Sequence, residues 1–163
     1  MKIHSDLKYL LIIIGKKLNK TSSLNYYCDE EPNSFSIQEI QLEFDGLKSL
    51  RIFCGTDGSS ICWDNGDLKP INMGEYGKVV ISSLSKYHEE LKNLVDKKLE
   101  KVYLVTSEIE KCIFAIKFVF SYNFELVVAN VGDDLKLQKK LTPEIIKEEK
   151  SLFLDIQETS HRQ

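Results

Sequence analysis

The sequence predicts an α+β domain built mainly on antiparallel β-structure, with two or three helices packed on the sheet. Short segments alternate apolar and polar residues with the period of a strand, as in Ile40-Gln41-Leu42-Glu43-Phe44. Turn-forming pairs such as Asp45-Gly46 separate them at hairpin spacing. The chain also matches itself. Slid along itself without a gap, it lays Ile40, Leu42, Phe44, Leu50, Ile52 and Ile61 on Ile116, Phe118, Phe120, Leu126, Val128 and Leu137. Slid slightly further, it lays Ile13 to Leu18 on Leu94 to Leu99. The pattern predicts two duplicated helix-plus-β-hairpin units, residues 5–66 and 85–140, that differ in length at the acidic loop Asp29 to Asn33.

Ser5 is an expected N-cap with Asp6 in the first turn. Leu7, Leu10, Leu11, Ile14 and Leu18 follow at helical spacing, so an amphipathic helix should end near Gly15. Lys17 to Cys28 has weak strand chemistry, but its counterpart Lys98 to Thr106 alternates clearly and predicts a strand for both. Ile37 or Gln38 to Phe44 and Leu50 to Cys54 form one expected hairpin, Cys112 to Phe120 and Phe124 to Asn130 the other. Ser60 to Trp63 and Leu68 to Asn72 read as a further short pair around Asp64-Asn65-Gly66, with Pro70 restricting it to a sheet edge. Lys78 to Ser82 is a β-branched strand. Ser85 should cap a helix over Lys86 to Val95, and Thr142-Pro143-Glu144 should start another, since proline at the first helical position loses no bonded N–H. Leu152 to Ile156 closes the sheet, and residues 158–163 are an expected loose tail. Ile40, Leu42, Phe44, Ile116, Phe118 and Phe120 are expected core positions on one sheet face.

The chain has 163 residues, 22 Lys plus Arg and 25 Asp plus Glu, for a formal charge of −3. That length suits a single domain over residues 1–163 with a core of its own. The small charge gives no reason to expect nucleic acid or a membrane surface as a direct partner. The longest apolar run, Tyr9 to Ile14, is far short of the about twenty residues of a spanning helix, and no secretory cleavage pattern follows it. A cytoplasmic protein is expected. Cys28, Cys54, Cys62 and Cys112 carry no C-x-x-C pair and should be reduced and mostly buried.

Catalytic motifs are not found. The histidines are His4, His88 and His161, spread too widely to suggest a nucleophile with its base. Gly55-Thr56-Asp57-Gly58-Ser59-Ser60 lacks the lysine of a phosphate-cradling loop. Asp57, Asp133 and Asp134 sit at equivalent turns, where aspartate usually bonds its own backbone. No cofactor, metal site or enzymatic activity is expected. An enzyme assembled from those three carboxylates, with a metal, and a β-rich module binding a small ligand are the alternatives from other classes.

Met73-Gly74-Glu75-Tyr76-Gly77 before a strand, Ile116 to Phe120 followed by Leu126 to Asn130, and Gly132-Asp133-Asp134-Leu135 together resemble small bacterial immunity proteins. Such proteins are encoded beside polymorphic or contact-dependent growth-inhibition toxins. The resemblance spans Phe35 to Ile156 and implies a non-enzymatic cytoplasmic protein that binds the C-terminal domain of its cognate toxin, often a nuclease, and blocks the active site. The expected binding surface is the irregular segment from Cys54 to Gly77, with Asp57, Trp63, Asp64, Asp67, Glu75 and Tyr76, plus the acidic loop residues Asp29, Glu30 and Glu31; Trp63, the one tryptophan, reads as either a core anchor or an interface anchor beside a sheet edge. Glycine, aspartate and Pro70 at a sheet edge leave backbone groups for a partner strand, and the acidic loop would steer a basic partner.

Overall fold

The computed structural model describes residues 5–28 and 35–160. Two antiparallel sheets carry the chain. β1 (Leu18–Tyr27), β2 (Phe35–Phe44), β3 (Leu50–Cys54) and β4 (Ile61–Asp64) form a meander, and β6 (Lys78–Ser83) returns to the free side of β1, with β5 (Ile71–Asn72) outside it. The second sheet repeats the plan. β7 (Leu99–Ser107), β8 (Cys112–Phe120), β9 (Phe124–Asn130) and β10 (Leu135–Gln138) form a meander, and β11 (Leu152–Asp155) takes the free side of β7.

The sheets face one another. β2 lies against β10 and β4 against β8, and one core cluster draws Ile40, Leu42 and Phe44 from the first sheet and Ile116, Phe118 and Phe120 from the second. These six residues therefore occupy two opposed faces rather than one common face. Strand alternation specifies a buried side, but not whether a helix or another sheet buries it.

The match of Ile13 to Leu18 with Leu94 to Leu99 extends to the backbone. Gly15 N–H donates to Leu99 O and Asp96 N–H to Leu18 O, both at 2.7 Å. Leu18 N–H donates to Lys97 O at 3.0 Å and Leu99 N–H to Lys16 O at 2.9 Å, with a bridge between Lys17 and Lys98 at the centre. The register breaks of β1 against β2, between Leu18 and Lys20 and between Leu24 and Asn25, recur in β7 against β8 between Leu99 and Lys101 and between Val105 and Thr106. The β1–β2 connection is the longer of the two, but Asp29 to Asn33, where the length difference was expected, lies outside the described residues.

β1 forms in spite of its serines because it is a central strand, paired with β2 on one side and β6 on the other. The local chemistry leaves a cost. Ser23 and Asn25 are fully buried, and neither the Ser23 hydroxyl nor the Asn25 carboxamide has a hydrogen-bond partner. The corresponding residues of β7 are Leu104 and Thr106.

The helices are shorter than their periodicity suggested. α1 covers only Lys8–Leu11, and the rest of the apolar repeat runs on through turns to Gly15. Ser5 does not cap it. The Lys8 N–H donates to Asp6 Oδ1 instead, and the Ser5 hydroxyl accepts from the Trp63 N–H. The helix expected over Lys86 to Val95 is broken at His88 into α2 (Leu84–Tyr87) and α3 (Glu89–Lys92), because His88 leaves the helical region at φ −129° and ψ 90°. α4 (Pro143–Glu148) starts as expected, with Thr142 Oγ1 accepting from Ile145 N–H at 3.4 Å. Its Ile145 and Ile146 cover Val105, Phe114 and Val127 on the outer face of the second sheet. α5 (Ile156–Ser160) replaces the first part of the expected loose tail, capped by Asp155, whose Oδ1 accepts from Gln157 N–H. Residues 161–163 lie outside the described residues.

Candidate protein-binding surface

The segment after β4 does not return as the expected hairpin partner. β4 pairs with β3 at one edge of the first sheet, whereas β5 pairs with β6 at the other, so residues 65–70 cross the outer face between them. Three contacts fix the crossing. Gly66 N–H donates to Asp64 Oδ1, Gly66 O accepts from the Gln41 side chain, and Leu68 packs on Leu24 of β1 and Val79 of β6. Pro70 has no N–H to offer a ladder, which explains why pairing begins only at Ile71.

From β5 the chain makes a 3₁₀ turn over Gly74–Tyr76 and enters β6 through Gly77 at φ +98°. Gly74 N–H donates to Asn72 Oδ1 at 2.9 Å, Met73 N–H to Gly77 O at 3.0 Å, and the Tyr26 hydroxyl to Tyr76 O at 2.8 Å. The backbone is held, while the side chains are left in solvent. Tyr76 is 72% exposed, Ile71 54% and Ile81 49%, with Met73 beside them. β5 covers only Lys78 and Val79, so the rest of β6 has β1 on one side and no strand on the other among the described residues.

The predicted residues divide sharply. Glu75 and Tyr76 lie in this exposed turn, and Asp67 is exposed on the crossing segment. Asp64 is occupied by Arg51, whose Nε and Nη2 donate to its two oxygens at 2.8 and 2.6 Å while Nη1 reaches Glu39 at 3.4 Å. That pairing holds the Asp64 carboxyl below the usual carboxylate range and raises the Arg51 guanidinium. Trp63 lies in the core at 2% exposure, with its indole N–H donating to Asp6 O at 3.0 Å, and offers no surface to a partner. Asp57 closes its own turn, where Oδ1 accepts from the N–H groups of Ser59 and Ser60 and from the Ser60 hydroxyl. Those bonds, led by the Ser60 N–H, lower its pKa. Asp29, Glu30 and Glu31 lie outside the described residues.

The turns of Asp57 and Asp133 do meet. Asn130 Nδ2 donates to Ser60 O at 2.8 Å, and the space beside Gly58 opens on the Asp133 carboxylate. Among the described residues, no three His, Cys, Asp or Glu side chains are grouped to hold a metal ion. The cysteines are free and half-buried rather than mostly buried. Burial, then Asp133 and Asp134, pushes the Cys54 thiol up to about 12, and burial pushes Cys112 up to about 11. No described helix is long and apolar enough to cross a membrane.

Ile71 and Met73 fall within the expected segment without being singled out; sequence reading missed Ile81 as a surface residue, and also Leu152, Phe153 and Leu154, which are exposed on the edge strand β11. An apolar residue on a strand reads as core until the absence of a covering neighbour is known. The chain matches no family model, no curated protein and no solved structure.

Asp57 and Asp64 both have folded-state values below their unfolded ones. Their stabilisation is fully present above the unfolded carboxylate range, about pH 4, and is lost as pH falls through the lowered values. The urea midpoint is expected to drop on acidification, and Asp64→Asn should make that drop shallower. An unchanged acid limb in the variant would contradict this assignment.

Proposed function

We propose that this protein acts by stoichiometric binding, as an immunity protein that docks a cognate toxin domain and blocks its active site. The observation that carries the reading is the open edge of β6, flanked by exposed Ile71, Tyr76 and Ile81. Unpaired N–H and C=O groups on an edge strand supply affinity to an incoming strand, and the apolar side chains beside it supply contact area. Asp29, Glu30 and Glu31 add acidic charge to the same reading. Acidic groups steer a basic partner and raise its association rate. The protein carries out no reaction in this reading. We also infer that the chain arose by duplication of one helix-plus-meander unit, a reading supported by the hydrogen bonds and register breaks that recur at matching positions of the two halves.

Calorimetry with the toxin domain encoded beside this protein tests the binding. A one-to-one complex is expected, weakened at least about tenfold, or about 1.4 kcal/mol, by Tyr76→Ala and by Ile81→Lys. Glu30→Lys should slow association and reduce its salt dependence. No complex at micromolar concentration would overturn the immunity reading. Tight binding that ignores both Tyr76→Ala and Ile81→Lys would overturn the surface.

A further inference from the structure

The two halves end alike, each on an outer strand that turns into a short helix. Ser83 of β6 pairs with Ser22 of β1, and Asp155 of β11 pairs with Tyr103, the residue of β7 that matches Ser22. The match continues past the strands, where Leu84 opens α2 and Ile156 opens α5, both buried in the shared core. In this register Val80, Ile81 and Ser82 of β6 correspond to Leu152, Phe153 and Leu154 of β11. All three residues of β11 are 40–50% exposed, and the strand has β7 on one side and no strand on the other among the described residues. Such a row of unpaired backbone groups beside apolar side chains is a template for strand addition.

Two differences separate these edges. On β6, the entering end is already taken, because β5 pairs with Lys78 and Val79. A second copy of β6 brought in antiparallel about Ile81 would set its Ser83 on Val79 and collide with β5. Among the described residues nothing comparable flanks β11, since the segment before it forms α4 and covers the outer face of the second sheet instead. The second difference is the order of the side chains. Leu152-Phe153-Leu154 reads the same in both directions, whereas Val80-Ile81-Ser82 does not. Opposite residues of an antiparallel pair share a face, so a two-fold axis through Phe153 sets leucine opposite leucine and phenylalanine opposite phenylalanine. The flanking charges agree. Lys150 precedes the strand and Asp155 ends it, so antiparallel copies bring the cation of each to the anion of the other. Lys117 Nζ lies 5.7 Å from the centre of the Phe153 ring and is itself paired with Glu125 at 3.0 Å, so it adds no net charge to the seam.

We propose that β11 is a self-association edge whose occupant is β11 of a second copy of this chain, paired antiparallel about Phe153. The contact joins two five-stranded sheets into one continuous sheet. It closes at two copies, because an isologous pair uses up the edge on both. An edge of four residues falls below the roughly 1,200 Å² of a stable interface, so the dimer is weak, with a dissociation constant on the order of 100 μM. The β6 edge stays open on each copy, so the dimer is independent of the toxin-binding reading and keeps its one-to-one stoichiometry.

Sedimentation equilibrium of the intact protein, from about 10 μM to about 1 mM, tests the contact. A monomer–dimer equilibrium is expected. Phe153→Lys, which opposes two like charges on the axis, should weaken it at least about tenfold while the core amide spectrum is kept. Ile81→Lys should leave it unchanged. Cross-linking under mild oxidant reads the register, with the unsubstituted protein as the control for its own thiols. Phe153→Cys should link to itself, and Leu152→Cys should link to Leu154→Cys when the two are mixed but not to itself. A monomer throughout overturns the proposal, as does a dimer indifferent to Phe153→Lys or self-linking of Leu152→Cys as ready as that of Phe153→Cys. Association that grows beyond two copies overturns it too, and a dimer lost in Ile81→Lys would move the contact to β6. A monomer whose toxin complex is lost in Phe153→Lys would give the edge to the toxin domain instead.

Discussion

Phe118→Ala is expected to cost about 3 to 5 kcal/mol of folding stability. The ring is fully buried on β8, the central strand of the second sheet, between Val102 of β7 and Leu126 of β9, and it faces the core shared with the first sheet. Truncation removes the transfer free energy of the ring and leaves a cavity that two hydrogen-bonded sheets cannot collapse to fill. Leu42→Ala, at the matching position of β2, is also fully buried and should cost about 2 to 5 kcal/mol. Urea denaturation reads both, with the midpoint falling and the slope kept. A loss below about 1 kcal/mol for Phe118 would mean the sheets do not enclose it.

Gly77→Ala is expected to detach the β5–β6 edge from β1. Gly77 has φ +98° and ψ −164°, a region open essentially to glycine alone, and forcing another residue there costs about 1 to 3 kcal/mol. Space is also lacking, because an added methyl would press directly on the backbone carbonyl of Tyr27 and on the Tyr26 ring. The carbonyl cannot move without breaking the pairing of Tyr27 with Lys78. Amide exchange should therefore show β6 losing protection from Lys78 to Ile81 while β8 keeps it, and binding that depends on this edge should fall with it. Gly74→Ala is the control. Gly74 also has positive φ, at +62°, but opens on free space, so only the backbone cost of about 1 to 2 kcal/mol applies. Full protection of β6 in Gly77→Ala would show that the carbonyl contact does not hold the edge.

The candidate surface was legible only in part. Met73 to Gly77 announces an irregular segment through its two glycines, and Glu75 and Tyr76 do stand exposed in it. Trp63 and Asp64 were placed in the binding segment, Trp63 with a core anchor as the other reading; the structure puts Trp63 in the core and holds Asp64 on Arg51. A single tryptophan beside aspartates has the same sequence signature in both settings, and only its neighbours decide. The exposure of Ile81 was invisible, because it depends on which strands lie beside β6. The cleft between α3, the β8–β9 turn and the end of β10 was equally hidden, since only folding brings those walls together.

The sequence by itself determined most of the strands and which side of each is apolar, because side-chain alternation and turn chemistry act over a few residues, though β10 was not read and the strand expected over Leu68 to Asn72 reduces to Ile71 and Asn72. It also carried the matching positions, Ile40 with Ile116 and Leu18 with Leu99 among them, and with them the weak strand β1, whose identity rested on its counterpart β7. Only the tertiary structure decided that the halves form two opposed sheets, that residues 65–70 cross the first sheet from β4 to β5, and that the helices shrink to single turns. Those outcomes depend on which apolar face meets which, a contest among contacts far apart in the chain. Helical periodicity at Leu7 to Leu18 satisfies a core whether or not every residue is helical, so the pattern survives while the helix stops at Leu11.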